Sequence, residues 1–425
     1  MTDLRIQPQP WMTSPRTRAV LEALSAAGIS VRFVGGCVRD AVIGRNISDI
    51  DLATDAPPER VMEALEAAGL KVVPTGLSHG TVTAVSDGVP YEITTLRHDV
   101  ETDGRRAVVA FTDDWQADAA RRDFTMNALS LEPHGMLHDP FGGVEDLQAG
   151  HVRFVGEARQ RILEDVLRLL RYFRFYAHYG RPPPDEAALS ACRDLAHLLP
   201  RLSAERVRVE LLKLLAAPDP APIVALMRDE GVLEHFLARA TAIDRLGRVV
   251  AIERRLNLCD PLRRLAALLP VDEETAGHLA QGLRLSNRER DRLVAMVEPP
   301  ADLSPALDAA ARRRALYRVG AEAWPDLVIS AWAASRNTPD DTGWQSLFEE
   351  SKDWQRPKFP LTGRDVKKLG IEEGAALGEL LRAAEAWWVE GDFRAGRKEC
   401  LAWLVGQVER LRAGNAQSGG DAPGG

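Results

Sequence analysis

The sequence predicts an α+β protein, a mixed sheet domain at the N-terminal end followed by a long all-helical remainder, and three observations carry that expectation. The stretch from Phe33 to Ala53, FVGGCVRDAVIGRNISDIDLA, alternates a short strand, a glycine turn, a short helix and a second strand. Asp87-Gly88 sits between two β-rich runs, TVTAVS and VPYEITT, and signals a tight hairpin. Beyond about residue 150 apolar residues recur at three- and four-residue spacing, as in ARQRILEDVLRLLRYFRFYAHYG and SAERVRVELLKLLAAP, the period of amphipathic helices. At 425 residues the chain is too long for one ordinary core.

Taken in order, VRFVGG reads as a strand running into a glycine turn, VRDAVIG as a short helix stopped by Gly44, and DIDLA as a second strand. Asp55-Ala-Pro57-Pro58-Glu59 opens the next helix, since proline suits the first helical turn and an acidic side chain favours the helix N-terminus. The run from His98, HDVETDGRR, is rich in charge and carries no core pattern, which predicts a loop better suited to move than to pack. In the helical remainder, Pro182 to Pro184, Pro218 and Pro220, Pro299-Pro300, and Pro357 and Pro360 separate bundles. Residues 413–425, ending GNAQSGGDAPGG, offer nothing to bury and are predicted to be disordered.

Composition narrows the class. An apolar fraction of 45% with 27% charged residues is that of a soluble globular protein, and no apolar run approaches the ~20 residues of a membrane span. The N-terminus has no apolar core of a secretory signal, and a cytoplasmic location is expected. Cys37, Cys192, Cys259 and Cys400 lie far apart without a C-x-x-C pair, against both a disulfide framework and a zinc site. The net charge of −8 conceals a local reversal: Glu157 to Lys213 holds eleven Lys or Arg against eight Asp or Glu.

The sharpest feature is Asp49-Ile50-Asp51. On a strand both aspartates point to one face, and paired carboxylates repel unless a cation intervenes; two Mg²⁺ ions about 4 Å apart are the usual occupant where a phosphoryl group is transferred. Taken alone, D-x-D is more often a solvated turn. Gly35-Gly36, between a strand and a helix, lets backbone N–H groups approach a triphosphate, and Arg39 adds charge-assisted contacts. Cradle, arginine and metal pair together indicate nucleotidyl transfer.

These residues resemble the head-domain signature of the class II tRNA nucleotidyltransferase and poly(A) polymerase family, in the polymerase β superfamily, which runs GG-x-VRD into a D-x-D strand. Further matches follow in the family's order: Arg121-Arg122-Asp123-Phe124-Thr125-Met126-Asn127-Ala128, Asp139-Pro140-Phe141-Gly142-Gly143, Glu164-Asp165-Val166-Leu167-Arg168, Ser203-Ala-Glu205-Arg206 with Glu210, and PLTGRDVKKLGIEEGAALGELL from Pro360. The resemblance covers most of residues 30 to 215 and that late segment. It implies a nucleotidyltransferase α/β head over 1–150, an elongated all-α neck over 151–215 that selects the base, a body over 216–310, and a tRNA-binding tail over 311–412.

Asp165, Arg168, Arg171 and Arg174 recur every three residues, so a continuous helix would place them on one face. The resemblance assigns Asp165 and Arg168 to the base edge of the incoming nucleotide. Cytosine and adenine both present an amino donor beside a ring-nitrogen acceptor, whereas uracil and guanine present a carbonyl beside an N–H. A carboxylate accepts and a guanidinium donates, so one pair admits CTP and ATP without a template. The same resemblance gives Arg122 the triphosphate, and Asp123 with Asn127 the primer end or sugar. Glu92 is a candidate third carboxylate, although a strand glutamate is more often simply exposed.

The expectation is an Mg²⁺-dependent transferase that adds or repairs the 3′ CCA of tRNA from CTP and ATP, releasing pyrophosphate, with tRNA as partner. A poly(A) polymerase, an enzyme adding only CC or only A, and a silent RNA-binding protein on the same scaffold are the alternatives. A monomer or a homodimer is expected.

Overall fold

The computed structural model describes residues 4–47, 49–102, 107–371 and 374–418. Short α1 (Pro10–Thr13) and α2 (Pro15–Ala26) lead into β1 (Val31–Val34), α3 (Gly36–Val42), β2 (Asp51–Thr54), α4 (Pro58–Ala67), β3 (Lys71–Gly76), β4 (Thr81–Ser86) and β5 (Val89–Thr95). Then come β6 (Arg97–Thr102), β7 (Ala107–Phe111), α5 (Trp115–Ala120), β8 (Ser130–Leu131), β9 (Leu137–His138) and α6 (Gly143–Ala149). Seven strands form one mixed sheet in the order β3-β4-β5-β2-β1-β8-β9, in which β2 and β5 run parallel.

Register decides which face does chemistry. Phe33 pairs with Leu52 and Leu52 with Ile93, and all three are buried in a core that includes Leu24 of α2 and Leu65 of α4. Because strand side chains alternate, the neighbouring row of Val34, Asp51 and Glu92 lies on the opposite face. The hairpin between β4 and β5 turns through Asp87 and Gly88 at φ 48° and 75°, the double positive φ that a type I′ turn requires.

The charge-rich segment from His98 is not a loop throughout. β6 and β7 pair antiparallel from Arg97↔Phe111 to Thr102↔Ala107, making a separate two-stranded ribbon. The β-branched run in AVVAF supplies a partner strand that the charged half alone does not reveal. Residues 103–106 of the expected loop lie outside the described residues.

From there α7 (Ala158–Glu164), α8 (Leu167–Tyr179), α9 (Glu186–Leu195) and α10 (Ala204–Leu215) follow, and no described strand comes after β9. α8 buries Leu169, Leu170, Tyr172, Phe173 and Tyr176 along one stripe. By compactness, residues 1–247, 259–270 and 278–286 form one unit and residues 248–258, 271–277 and 287–425 a second. Residue 150 therefore marks a change of secondary structure, not of compaction: the sheet and α7 to α10 share one unit. The second unit has its own core around Leu361, Val366, Leu380, Trp388 and Leu404. Its last helix, Arg397–Ser418, continues through 413–418, where disorder was expected, because no proline interrupts it; residues 419–425 lie outside the description. Among the described residues no helix is long and apolar enough to cross a membrane.

Candidate active site

β1 delivers the chain to Gly35, whose φ of 71° and ψ of −130° suit glycine alone, and α3 begins at the next residue. A Cβ on Gly35 would meet Arg122 Nη1 at 3.5 Å and Asp51 Oδ2 at 3.8 Å, so the turn, the arginine and the strand carboxylate converge on one point. Asp51 opens β2 directly beside Glu92 of β5, while exposed Asp49 precedes the strand. Strand pairing thus starts only at Asp51, and the expected strand alternation of Asp49 with Asp51 does not apply. Burial, then the Glu92 charge, push the Asp51 carboxyl above its ordinary value; Arg122 opposes them and Asp49 adds to the rise. The local excess of negative charge is what a divalent cation would relieve, and the oxygen donors suit a hard one. The described side chains do not gather three such ligands into a ready cage, so the fit is to a cation held by two carboxylates and completed by substrate phosphate oxygens.

A cleft of about 440 Å³ is lined by Gly35, Gly36, Arg39, Arg122, Asp123, Asn127, Asp165, Arg168 and Arg171, together with Arg121, Leu167, Phe175 and Arg206. Every nucleotide-binding residue expected from sequence is there except Arg174. A larger hollow, about 710 Å³, lies over Arg32, Trp115, Ser130 and His138 and shares Arg122 with the cleft. It lacks Gly35, Gly36, Asp165 and Arg168, so size alone does not select the site.

Buried Asp118 holds the arginine pair: its Oδ1 accepts from Arg121 Nε at 2.8 Å and its Oδ2 from Arg122 Nη2 at 3.1 Å. Burial alone would raise the Asp118 carboxyl, but Arg122 and Arg121 outweigh it and hold it below the ordinary value. Buried Arg161 ties down the same pair from the backbone side, donating to the carbonyls of Arg121 and Arg122 and pairing with Glu164. Sequence reasoning missed both. The signal for Asp118 was present, since it stands three and four residues before Arg121 and Arg122, the spacing of helical ion pairs.

Asp123 is 7% exposed and its oxygens are engaged by protein. Oδ1 accepts from Asn127 Nδ2 and from Phe124 N, both at 2.9 Å, and Oδ2 accepts from Arg171 Nε at 2.7 Å. Asn127 Oδ1 in turn accepts from Arg39 Nη1 at 2.9 Å. Asp123 thus holds Arg171 and, through Asn127, Arg39. Burial works against its charge, but Arg171 and the hydrogen bonds keep the carboxyl below its ordinary value of 3.8. A carboxyl depressed in the fold contributes stability above its unfolded pKa and loses it as pH falls through the folded value. In Asp123→Asn, urea unfolding across a pH series is expected to show a shallower loss of stability below about pH 4 than in the parent. Equal slopes would remove Asp123 as a source of acid lability.

Asp165 and Arg168 do not share a helix face as expected. α7 ends at Glu164, and Asp165 is extended at φ −151° and ψ 105°. Its Oδ1 accepts from Leu167 N at 3.1 Å, capping the next helix, and its Oδ2 pairs with Arg206 Nη2 at 2.7 Å. Aspartate competes for backbone donors in this way, which is why the helix breaks here. Arg168 is pinned by Glu164 at 2.6 Å and by the carbonyls of Arg161 and Arg121 at 3.0 and 3.2 Å. Those bonds take both Nη1–H groups and one Nη2–H and leave Nε–H and the second Nη2–H for a ligand, while each Asp165 oxygen keeps a lone pair. Arg171 lines the cleft but is held by Asp123 and, at 3.7 Å, Glu210; Arg174 pairs with Glu210 at 2.6 Å and falls outside the lining. Of the four-residue row, Asp165, Arg168 and Arg171 line the cleft, and Arg171 is the one of these three tied to Asp123.

The Asp139-Pro-Phe-Gly-Gly turn braces this assembly. Asp139 accepts from Gly143 N and Val144 N at 2.7 and 2.9 Å, and Gly142 has a φ of 75°. A Cβ on Gly143 would lie 2.2 Å from the Thr125 carbonyl oxygen, on the loop that carries Asn127. Gly143→Ala is accordingly expected to cost about 1–3 kcal/mol in chemical unfolding, as overpacking does. Unchanged stability would mean the turn does not press on that loop.

Residues 31–153 match the family described as the Poly A polymerase head domain, and residues 184–242 match the probable RNA and SrmB-binding site of polymerase A. Over 401 residues the chain is 34% identical to the mitochondrial CCA tRNA nucleotidyltransferase 1 of Mus musculus, covering 91% of this chain and 89% of that protein. The CCA-adding enzyme of Streptococcus pneumoniae is 31% identical over 397 residues, covering 91% and 95%. Among solved structures the chain is similar to the Bacillus stearothermophilus CCA-adding enzyme in complex with CTP, with a TM-score of 0.78, 29% identity and coverage of 95% and 100%.

Proposed function

The chain belongs to the CCA-adding tRNA nucleotidyltransferase family, and from that premise we propose that it adds or repairs the 3′ CCA of tRNA from CTP and ATP without a nucleic-acid template. The observation that carries this reading is one cleft in which a glycine turn and Arg122 beside Asp51 face the Asp165 acceptor and the Arg168 donor. Its volume is that of a small-molecule site.

In this mechanism the N–H groups of Gly35 and Gly36 with Arg39 and Arg122 bind the triphosphate, Asp165 and Arg168 read the base, and Asp123, Asn127 and Glu210 hold the binders in place. Enzymes of this family use a divalent metal; Asp49 and Asp51, with Glu92 alongside, would hold Mg²⁺, which supplies activation of the primer 3′-hydroxyl and charge stabilisation at the α-phosphate. Pyrophosphate is the leaving group. The helical remainder grips the acceptor stem and elbow by phosphate and sugar contacts, reading shape more than sequence. All four cysteines are free, as in a reducing compartment, and we place the reaction in the cytoplasm.

The test supplies single nucleotides to three tRNA transcripts, lacking CCA, CA or the terminal A. The first two are expected to take C from CTP alone and the third A from ATP alone. Incorporation of A onto all three would replace this reading with poly(A) synthesis.

A further inference from the structure

One side chain beside the cleft has no part in the mechanism so far, yet it touches the residues that do. Tyr179, the last residue of α8, stacks on Phe175 one turn earlier with ring centroids 5.9 Å apart. Arg39 stands over both rings, its Cζ 4.4 Å from the Tyr179 centroid and 5.3 Å from that of Phe175. Arg45 also stands over Tyr179 at 4.4 Å and is anchored to the His178 carbonyl at 2.8 Å. Arg171 and Arg174 lie 5.4 and 4.3 Å from the Phe175 centroid. Four guanidiniums are thus gathered around two aromatic rings, whose negative faces offset their mutual repulsion.

The hydroxyl adds a second tie. Tyr179 Oη donates to Asp40 Oδ1 at 3.0 Å, and the same carboxylate accepts from Arg39 Nε and Nη2 at 3.0 and 2.9 Å. With Nη1 donating to Asn127, three of the five Arg39 N–H groups are engaged and two remain. Nη2, which carries one of the free N–H groups, lies 3.6 Å from where a Gly36 Cβ would stand, so the unengaged edge is at the glycine turn.

We propose that Tyr179 is a positioning residue for nucleotide binding: ring and hydroxyl together hold Arg39 with its free donors at the glycine turn, ready for a triphosphate. The proposal rests on Arg39 as a triphosphate ligand. An arginine held this way loses little side-chain freedom when the anion arrives, so the gain appears in affinity for the triphosphate and not in the chemical step or in the choice of base.

The full chain is assayed with a tRNA transcript lacking CCA. Tyr179→Leu is expected to raise KM for CTP about tenfold, the scale of a desolvated cation–π contact. The inhibition constant of inorganic tripolyphosphate should rise by the same factor, while kcat, KM for tRNA and the CTP-to-UTP preference stay within about twofold of the parent. Tyr179→Phe keeps the ring and should recover most of the loss. If Tyr179→Leu misfolds by circular dichroism, Tyr179→Met, an unbranched chain that fills the gap more readily, carries the same expectation. Arg39→Ala is the reference: combined with Tyr179→Leu it should be no worse than alone. Arg39→Ala that raises KM while Tyr179→Leu does not would overturn the role of Tyr179 only. Arg39→Ala that leaves KM and tripolyphosphate inhibition unchanged would overturn the triphosphate reading of Arg39 and the role of Tyr179 with it. A fall in kcat or in base preference at unchanged tripolyphosphate inhibition would mark Tyr179 as generally structural.

Discussion

Asp51→Asn should reduce single-turnover addition of the first C by about a thousandfold or more, because loss of a metal-binding charge at a phosphoryl-transfer centre removes at least about 4 kcal/mol of transition-state stabilisation. Asp51 lies on the sheet face away from the core formed by Phe33, Leu52 and Ile93, and the substitution preserves volume. It also removes a charge that burial, Glu92 and Asp49 disfavour by more than Arg122 favours it, so stability should hold or rise slightly. Affinity for tRNA should stay near that of the parent. Asp49→Asn should act in the same direction without touching the fold, since Asp49 is exposed and precedes the strand. Near-normal turnover in both variants would defeat the nucleotidyl-transfer mechanism.

The second large effect is on selectivity. In Asp165→Ala and in Arg168→Ala, the ratio of kcat/KM for CTP to that for UTP, on a tRNA awaiting its first C, should fall by about tenfold to a hundredfold. Each directional hydrogen bond in a desolvated pocket contributes roughly 1–3 kcal/mol, and its loss removes both the bond to the right base and the mismatch against the wrong one. Arg206→Ala should give a smaller change in the same direction, since Arg206 fixes Asp165 Oδ2 at 2.7 Å. A misfolding variant would slow all four nucleotides alike and leave the ratio intact. An unchanged ratio in both alanine variants would place base reading elsewhere.

Much of this site is legible in sequence because its parts are local. Gly35, Arg39 and Asp51 fall within one strand–turn–helix–strand passage, and Asp87-Gly88 announces its own turn. What stays hidden is what depends on partners far along the chain. The spacing of Asp165, Arg168, Arg171 and Arg174 implies one helical face, but Asp165 takes the Leu167 N–H and ends that helix, while Asp123 and Glu210 draw Arg171 and Arg174 into the protein. Asp123 reads in its motif as a residue for the primer end or sugar, and its bond to Arg171 is made across 48 residues of chain. Glu92 is ambiguous as a lone strand glutamate; the parallel pairing of β2 with β5, which no local pattern specifies, sets it beside Asp51. The ribbon of β6 and β7 is missed for a related reason, since the charged strand carries no pattern of its own and is stabilised by pairing with the β-branched one.

The central claim is that protein side chains alone choose the nucleotide, and that they choose C, C and then A. The most direct measurement gives the full chain a tRNA transcript ending before the CCA, with all four nucleoside triphosphates at equal concentration and Mg²⁺, and reads the 3′ sequence of every product. Products are expected to end in CCA and grow no further, with U and G at the level of rare errors. An extended run of A, or all four bases in comparable amounts, would contradict it.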